Sequence, residues 1–365
     1  MSIEKIDVAR FLELYSSIPV FDVRSPGEFS HASIPCAYSL PLFTDEERKI
    51  VGTAYKQDSR EQAIKMGLDF FGVKMRKILE DVSSIVTPGN NNKSFTNAAV
   101  QAAHSKPPVI IHCWRGGMRS AGIAWLLDLY GFKVYTLSGG YKAFRKWVLH
   151  YLEQDHPLTI LGGYTGSGKT EILHHLKSKG ETIVDLEGIA NHKGSAFGAL
   201  GMPPQPSQEM FENKLAVDLY TAGFSGKPIW IEDESQRIGH INIPQAFWQM
   251  MRSKPVVFVD IPFENRLEFI ARTYGKQQKG ELAAAITRIQ KRLGPLETKT
   301  ALGYLVEDNI TESFRILLKY YDKLYTKGLA NRPDTNKQIT TIPCNNPGAA
   351  EAAEAVIGTK TKSYA

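Results

Sequence analysis

The chain has 365 residues, 42% of them hydrophobic and 22% charged. That is a globular composition, with more chain than one core usually organises, so about two domains are expected. No apolar run approaches the ~18 residues of a membrane span, and the three cysteines, Cys36, Cys113 and Cys344, are too few and scattered for a disulfide framework or a zinc site. The net charge of +6 is unevenly spread, and the opening segment MSIEKIDVAR lacks the apolar stretch of a signal peptide, so a cytoplasmic protein with reduced thiols is expected.

In chain order, PVFDVRS (19–25) reads as a short strand ending in Asp22 and Arg24. The charged stretch at 43–104 reads as helical in part, with a loop at PGNNNKS (88–94). PPVIIHC (107–113) is a buried strand, MRSAGIAWLLDLYGF (118–132) a helix stopped by Gly131, and KVYTLSGG (133–140) a further strand. Strands alternating with helices imply a parallel sheet covered on both faces. From the end of the second strand into the start of its helix run Cys113, Trp114, Arg115, Gly116, Gly117, Met118, Arg119 and Ser120. Such a loop turns its N–H groups inward around the thiol. With Arg115 or Arg119 nearby, it favours the thiolate and binds an oxyanion. Cys113 is therefore the expected catalytic residue of a first domain at 1–151.

LEQDHP (152–157) reads as a linker to a second domain at 157–365. There a strand, a glycine loop and a helix follow one another in LTILGGYTGSGKTEILHHLKSKG, and Gly163, Tyr164, Thr165, Gly166, Ser167, Gly168, Lys169 and Thr170 satisfy G-x-x-x-x-G-K-[ST]. Backbone N–H groups and the helix N-terminus form an anion nest. Lys169 reaches diphosphate oxygens, and the Thr170 hydroxyl can ligate Mg²⁺. Three further strands are expected in 182–188, 227–235 and 254–262. At the end of the second of these, Asp233 is the expected acidic Mg²⁺ partner, with Glu232 and Glu234 as alternatives. A polar, glycine-rich loop at 185–198 offers Glu187, Asn191, His192 and Ser195 to a ligand. A helical region at about 263–328 carries eight Lys/Arg against three Glu between 266 and 299. Arg266, Arg272, Lys276, Arg288, Lys291 and Arg292 are candidates for a nucleic-acid backbone, with Arg288, Lys291 and Arg292 on one helical face distant from the cradle. The alternative is a solvated face. The tail at 338–358 reads as one strand and a short helix started by proline.

H-C-x-x-G-x-x-R-S is also the pattern of cysteine phosphatases. The surroundings instead resemble the rhodanese fold, in FDVRSPGEFSHASIPCAYSLPL (21–42) and LSGGYKAF (137–144). Cys36 stands where that family usually has glycine, and is expected to be a packed small residue. A rhodanese-like domain followed by a P-loop domain resembles the tRNA 2-selenouridine synthase family over nearly the whole chain. HCWRGGMRS, GGYTGSGKT, DLEG-A-H-GS-FG, IEDES--IG and ERKIVGTAYKQ carry that resemblance. It implies an α/β protein of two domains, a rhodanese-like parallel sheet and a doubly wound P-loop sheet. It also implies conversion of wobble 2-thiouridine to 2-selenouridine in tRNAs for Lys, Glu and Gln, by S-geranylation from geranyl diphosphate and then selenation from selenophosphate. The implied partners are the anticodon stem-loop and selenophosphate synthetase. Two other readings remain at this level: a cysteine phosphatase fused to an ATP-using kinase or NTPase, and a nucleotide-gated tRNA-binding regulator.

Overall fold

A computed structural model describes residues 3–86, 106–332 and 339–363. The expected loop at 88–94 lies outside these residues. The chain divides into two compact units, Met1–Tyr151 and Leu152–Ala365. It is an α/β protein, with one five-stranded sheet in each unit.

The first unit runs β1 (Ile3–Ile6), α1 (Val8–Leu14), β2 (Val20–Asp22), α2 (Pro26–His31), β3 (Tyr38–Ser39), α3 (Asp45–Gln57), α4 (Arg60–Gly72), α5 (Met75–Val86), β4 (Lys106–His112), α6 (Met118–Leu129), β5 (Phe132–Leu137) and α7 (Gly140–Leu152). Its five strands pair in parallel in the order β1-β5-β4-β2-β3. The central strand β4 is buried over its second half because both its faces are covered: Ile111 joins Phe21, Ile123, Val134 and Cys113 in one core. In the charged stretch before it, two of the helices start at polar caps. Thr44 and Glu47 form a capping box for α3, and Ser59 caps α4.

The second unit runs β6 (Leu158–Gly163), α8 (Lys169–Ser178), β7 (Thr182–Val184), α9 (Leu186–Ala190), α10 (Gln208–Gly223), β8 (Ile229–Glu232), β9 (Arg237–Ile238), β10 (Ile241–Asn242), α11 (Gln245–Ser253), β11 (Val256–Asp260), α12 (Phe263–Tyr274), α13 (Lys279–Arg288), α14 (Gln290–Leu293), α15 (Pro295–Val306), α16 (Ile310–Ala330), β12 (Ile339–Pro343) and α17 (Ala350–Ser363). The sheet is again five-stranded and parallel, in the order β12-β11-β6-β8-β7. β9 and β10 form a separate antiparallel pair. β6 is central, so the loop after it opens where the chain leaves the sheet in both directions, the position at which doubly wound sheets bind ligands.

Three expectations change here. The polar stretch at 185–198 is not all loop. Asp185 accepts a hydrogen bond from Gly188 N at 2.7 Å and starts α9, which stops at Asn191 in a left-handed conformation. The basic helical region is not one helix. It breaks at Gly275, Ile289, Gly294 and Glu307–Asn309, so Arg288 ends α13 while Lys291 and Arg292 belong to α14. The tail helix starts at Ala350, three residues beyond Pro347.

Candidate functional site

Both glycine loops follow the central strand of their sheets. In the first unit, β4 delivers Cys113, and α6 begins at Met118 behind an N-cap at Gly117. The thiol is buried, at 3% exposure, whereas Trp114, Arg115, Gly116, Gly117 and Met118 beside it are exposed. Gly117 N donates to Cys113 Sγ at 3.3 Å, and Ser120 Oγ lies 3.3 Å from the sulfur. Burial pushes the thiol pKa up, but the Ser120 hydroxyl and the amides of Ser120, Gly117 and Arg115 outweigh it and hold it below the ordinary cysteine range.

The depression comes from this nest rather than from arginine charge, which corrects the expectation for Arg115 and Arg119. Arg115 contributes its amide, and Arg119 Nη1 donates to Glu28 Oε2 at 2.8 Å. Arg48 meets the same Glu28 oxygen at 3.0 Å. Burial raises Glu28, and the bond from Arg119 with its charge brings the carboxyl down to about 2.

The loop is braced from behind by the segment after β5. Tyr141 N donates to Cys113 O at 2.8 Å and Lys142 N to Trp114 O at 3.0 Å. Gly140 has a φ of +58°, and a Cβ there would stand 2.2 Å from Cys113 O, which is why the sequence needs glycine. Asp22 and Arg24 form a buried ion pair at 2.6 Å, and the Arg24 guanidinium lies 3.8 Å from the Tyr141 ring centroid. Cys36 is exposed, not packed. It adopts a φ of +66°, the physical reason for glycine at that place in rhodaneses.

In the second unit, the loop at 163–170 wraps onto α8. Gly166 and Gly168 take φ of +82° and +72°. A Cβ on Gly166 would stand 2.6 Å from Ile270 Cδ1, and one on Gly168 2.3 Å from Gly348 N. Lys169 Nζ donates to Gly163 O at 3.2 Å and to Tyr325 Oη at 3.4 Å. Burial lowers the Lys169 pKa, but Tyr325, Glu234 and Glu187 raise it above the ordinary lysine value, so it stays charged.

The Thr170 hydroxyl donates to Glu187 Oε2 at 2.6 Å. Glu187 and Glu234 lie together. Burial, reinforced for Glu234 by the neighbouring Glu187, raises both carboxyls. Asp233, expected to bind Mg²⁺, instead accepts from Arg332 Nη2 at 2.5 Å in a buried ion pair. The acid beside the Thr170 hydroxyl is therefore Glu187. Thr170 and Glu187 present adjacent hard oxygens that fit Mg²⁺. Among the described residues no cluster of three or more acidic, His or Cys ligands could hold an ion by itself, so phosphate oxygens and water would complete the shell.

Thr165, Gly166, Gly168, Lys169 and Thr170 line a cavity of about 1730 Å³, while Gly163, Tyr164 and Ser167 do not reach it. Its walls continue into Ile270, Tyr274, Phe314, Leu317 and Tyr321. Of the expected ligand residues, Glu187, His192 and Ser195 line it. Asn191 does not, because its amide donates to Pro204 O at 2.9 Å.

Arg288, Lys291 and Arg292 line the same cavity, from two helices rather than one face, and so are not distant from the cradle. Arg272 and Lys276 are exposed outside it. Arg266 is not available to a nucleic-acid backbone. It is buried and bonded to both Asp322 carboxylate oxygens, at 2.9 and 2.8 Å. Tyr325, Asp322 and Arg332 escaped sequence reasoning because they stand 156, 56 and 99 residues from Lys169, Arg266 and Asp233, which they touch, in a stretch without a motif.

Residues 7–146 match the rhodanese-like domain, and residues 156–340 match the tRNA 2-selenouridine synthase AAA domain. The chain is 35% identical over 343 residues to a tRNA 2-selenouridine synthase of Hydrogenovibrio crunogenus, covering 85% of this chain and 88% of that one. With the enzyme of the same name from Pseudomonas syringae pv. syringae the identity is 34% over 345 residues, and with that of a Sulfurovum species 33% over 344, each at the same 85% and 88% coverage. Among the described residues no helix is long and apolar enough to cross a membrane. With both domains matched in order and relatives aligned across most of its length, the chain belongs to the tRNA 2-selenouridine synthase family and is an enzyme of tRNA modification.

Proposed function

We propose that the protein converts 2-thiouridine at the tRNA wobble position to 2-selenouridine in two steps, one for each glycine loop. In the first, the 2-thio sulfur attacks C1 of geranyl diphosphate, the C–O bond breaks and diphosphate leaves. In the second, selenide released from selenophosphate attacks C2, the C2–S bond breaks and geranylthiol leaves. The observation that carries this reading is the pairing, in one chain, of a thiolate nest at Cys113 with an anion nest at Lys169 whose cavity runs on into an apolar wall.

That wall, with Ile270, Phe314 and Leu317, suits a ten-carbon chain attached to a diphosphate. Lys169, held charged, would take up the negative charge that develops on the leaving diphosphate. Thr170 and Glu187 would hold Mg²⁺, which when bound supplies further charge neutralisation at the phosphate oxygens. Cys113, poised as thiolate, would attack the phosphorus of selenophosphate held by the surrounding amides, so that the P–Se bond breaks and selenide is freed, and water would then cleave the S–P bond to release phosphate. Arg288, Lys291 and Arg292 would meet phosphates of the anticodon stem-loop at the mouth of the cavity.

The test is mass analysis of nucleosides from thiolated tRNA incubated with geranyl diphosphate, with and without selenophosphate. Geranylthiouridine in the first reaction and selenouridine in the second are expected. Hydrolysis of p-nitrophenyl phosphate or ATP with neither product would refute the reading in favour of a phosphatase or NTPase.

A further inference from the structure

One helix of the second unit touches three parts of the cradle. From α16, Tyr321 Oη accepts a hydrogen bond from Ala196 N at 3.0 Å in the polar loop. The next residue, Asp322, takes both arms of Arg266, and Arg266 Nη1 donates to Thr165 O at 3.0 Å inside the glycine loop. One turn beyond Tyr321, Tyr325 Oη accepts from Lys169 Nζ at 3.4 Å, and the Lys169 ammonium lies 5.1 Å from the Tyr325 ring centroid. The spacing of Tyr321 and Tyr325 is i, i+4, so both hydroxyls descend from one helical face.

Tyr325 also lines the cavity, together with Lys169 and Thr170. Its oxygen receives the lysine proton, which leaves the phenol proton to be donated elsewhere. Burial and the nearby Glu234, Asp233 and Glu187 outweigh the Lys169 charge and push the phenol pKa up. Carboxylates crowd this spot, but an anion gripped by Lys169 would present its oxygens within reach of the same phenol.

We propose that Tyr325 is a second side-chain donor to the phosphate oxygens held by Lys169, a specificity-determining residue of the anion site, and that Asp322 sets its reach by tying α16 to the glycine loop through Arg266. The proposal rests on the reading of this loop as a diphosphate site. A tyrosine supplied from helix α16 would make occupation of the cradle depend on where that helix lies, so anion binding and the packing of α12 to α16 would be linked.

The test is calorimetric titration of the full-length protein with magnesium pyrophosphate, for wild type, Lys169→Ala, Tyr325→Phe and Asp322→Asn. Tyr325→Phe keeps the ring against Lys169 and removes only the hydroxyl. A lost bond to a charged partner predicts about ten-fold weaker binding, with the thermal midpoint of the free protein unchanged. Asp322→Asn should weaken binding by a smaller factor and also lower the midpoint. If Lys169→Ala abolishes binding while Tyr325→Phe binds as wild type does, the diphosphate reading stands and the role of Tyr325 is overturned. If wild type does not bind pyrophosphate, both fall. A Tyr325→Phe protein with a lowered midpoint and weakened binding is resolved by Tyr325→His, whose ring N–H can donate again: recovered affinity supports the donor role, and continued loss overturns it.

Discussion

The two glycine loops solve one problem in opposite surroundings. Each follows the central strand of a five-stranded parallel sheet and leads into a helix. At Cys113 the loop residues are exposed and the chemistry sits on a buried sulfur that the backbone N–H groups stabilise. At Lys169 the loop is roofed by α16 and by Gly348, whose N–H donates to Ser167 O at 3.1 Å. An exposed rim lets a nucleophile meet a large partner, whereas a roofed cradle excludes water around an anion and strengthens every charge inside it. The backbone geometry is shared and what closes over it differs, which under the proposed reading separates a loop that presents a nucleophile from one that holds a leaving group.

This contrast is most vulnerable to removal of each loop's key atom. Cys113→Ser is expected to abolish selenouridine formation and leave geranylthiouridine formation largely intact. Lys169→Ala should act at the first step, weakening diphosphate binding by about 1.5–3 kcal/mol and blocking geranylation, and with it the selenouridine that depends on the geranylthio group. Nucleoside mass analysis reads both, and equal loss of the two products in a folded Cys113→Ser protein would end the division of labour.

Next in size is Gly140→Ala, which forces a Cβ to within 2.2 Å of Cys113 O at a φ of +58°. A loss of about 1–3 kcal/mol is expected in the unfolding of the first unit, together with slower thiol alkylation. Unchanged denaturation and alkylation would mean that the segment after β5 does not brace the loop.

A more modest effect is expected from Ser120→Ala. The Cys113 thiol is held low, so thiolate is present, and alkylation by iodoacetamide proceeds, at pH values below the ordinary cysteine range. A depressed acidic group stabilises the fold above its unfolded pKa, and that contribution is lost as pH falls through the folded value. Removing the Ser120 hydroxyl should move the alkylation profile to higher pH. A profile that stays in place would leave the amides alone responsible.

The least change per residue is expected at the rim of the Lys169 cavity. Charge reversal at Arg288, Lys291 and Arg292 should weaken tRNA binding and reduce its salt slope by roughly 0.7–0.9 for each phosphate that is no longer neutralised. Titration of labelled tRNA at several salt concentrations measures it, and matching slopes would leave this rim without a role in tRNA binding.

Local pattern was enough for much of this molecule. β-branched runs bounded by glycine and proline marked β4, β6 and β11, and the spacing of small and basic residues marked both loops, because a tight strand-to-helix turn around an anion tolerates few residue types. Glu187 was legible as a polar residue in a glycine-rich stretch, but its place beside Thr170 was not, since two strands must first pair on either side of β8 to bring β6 and β7 together. Asp233 lines the same cavity, but its carboxylate is paired with Arg332 from beyond α16.

Element types, the division into two α/β domains, the loop that carries the thiol and the strand–glycine loop–helix around Lys169 could thus be read along the chain, since all of them follow from interactions within a few residues. It took the folded arrangement to show which acid stands by Thr170, that Arg266 is consumed by Asp322, that Arg288, Lys291 and Arg292 open onto the Lys169 cavity, and that Tyr325 faces Lys169. Those outcomes depend on where distant segments come to rest, and packing between such segments has no periodicity along the chain from which it could be read.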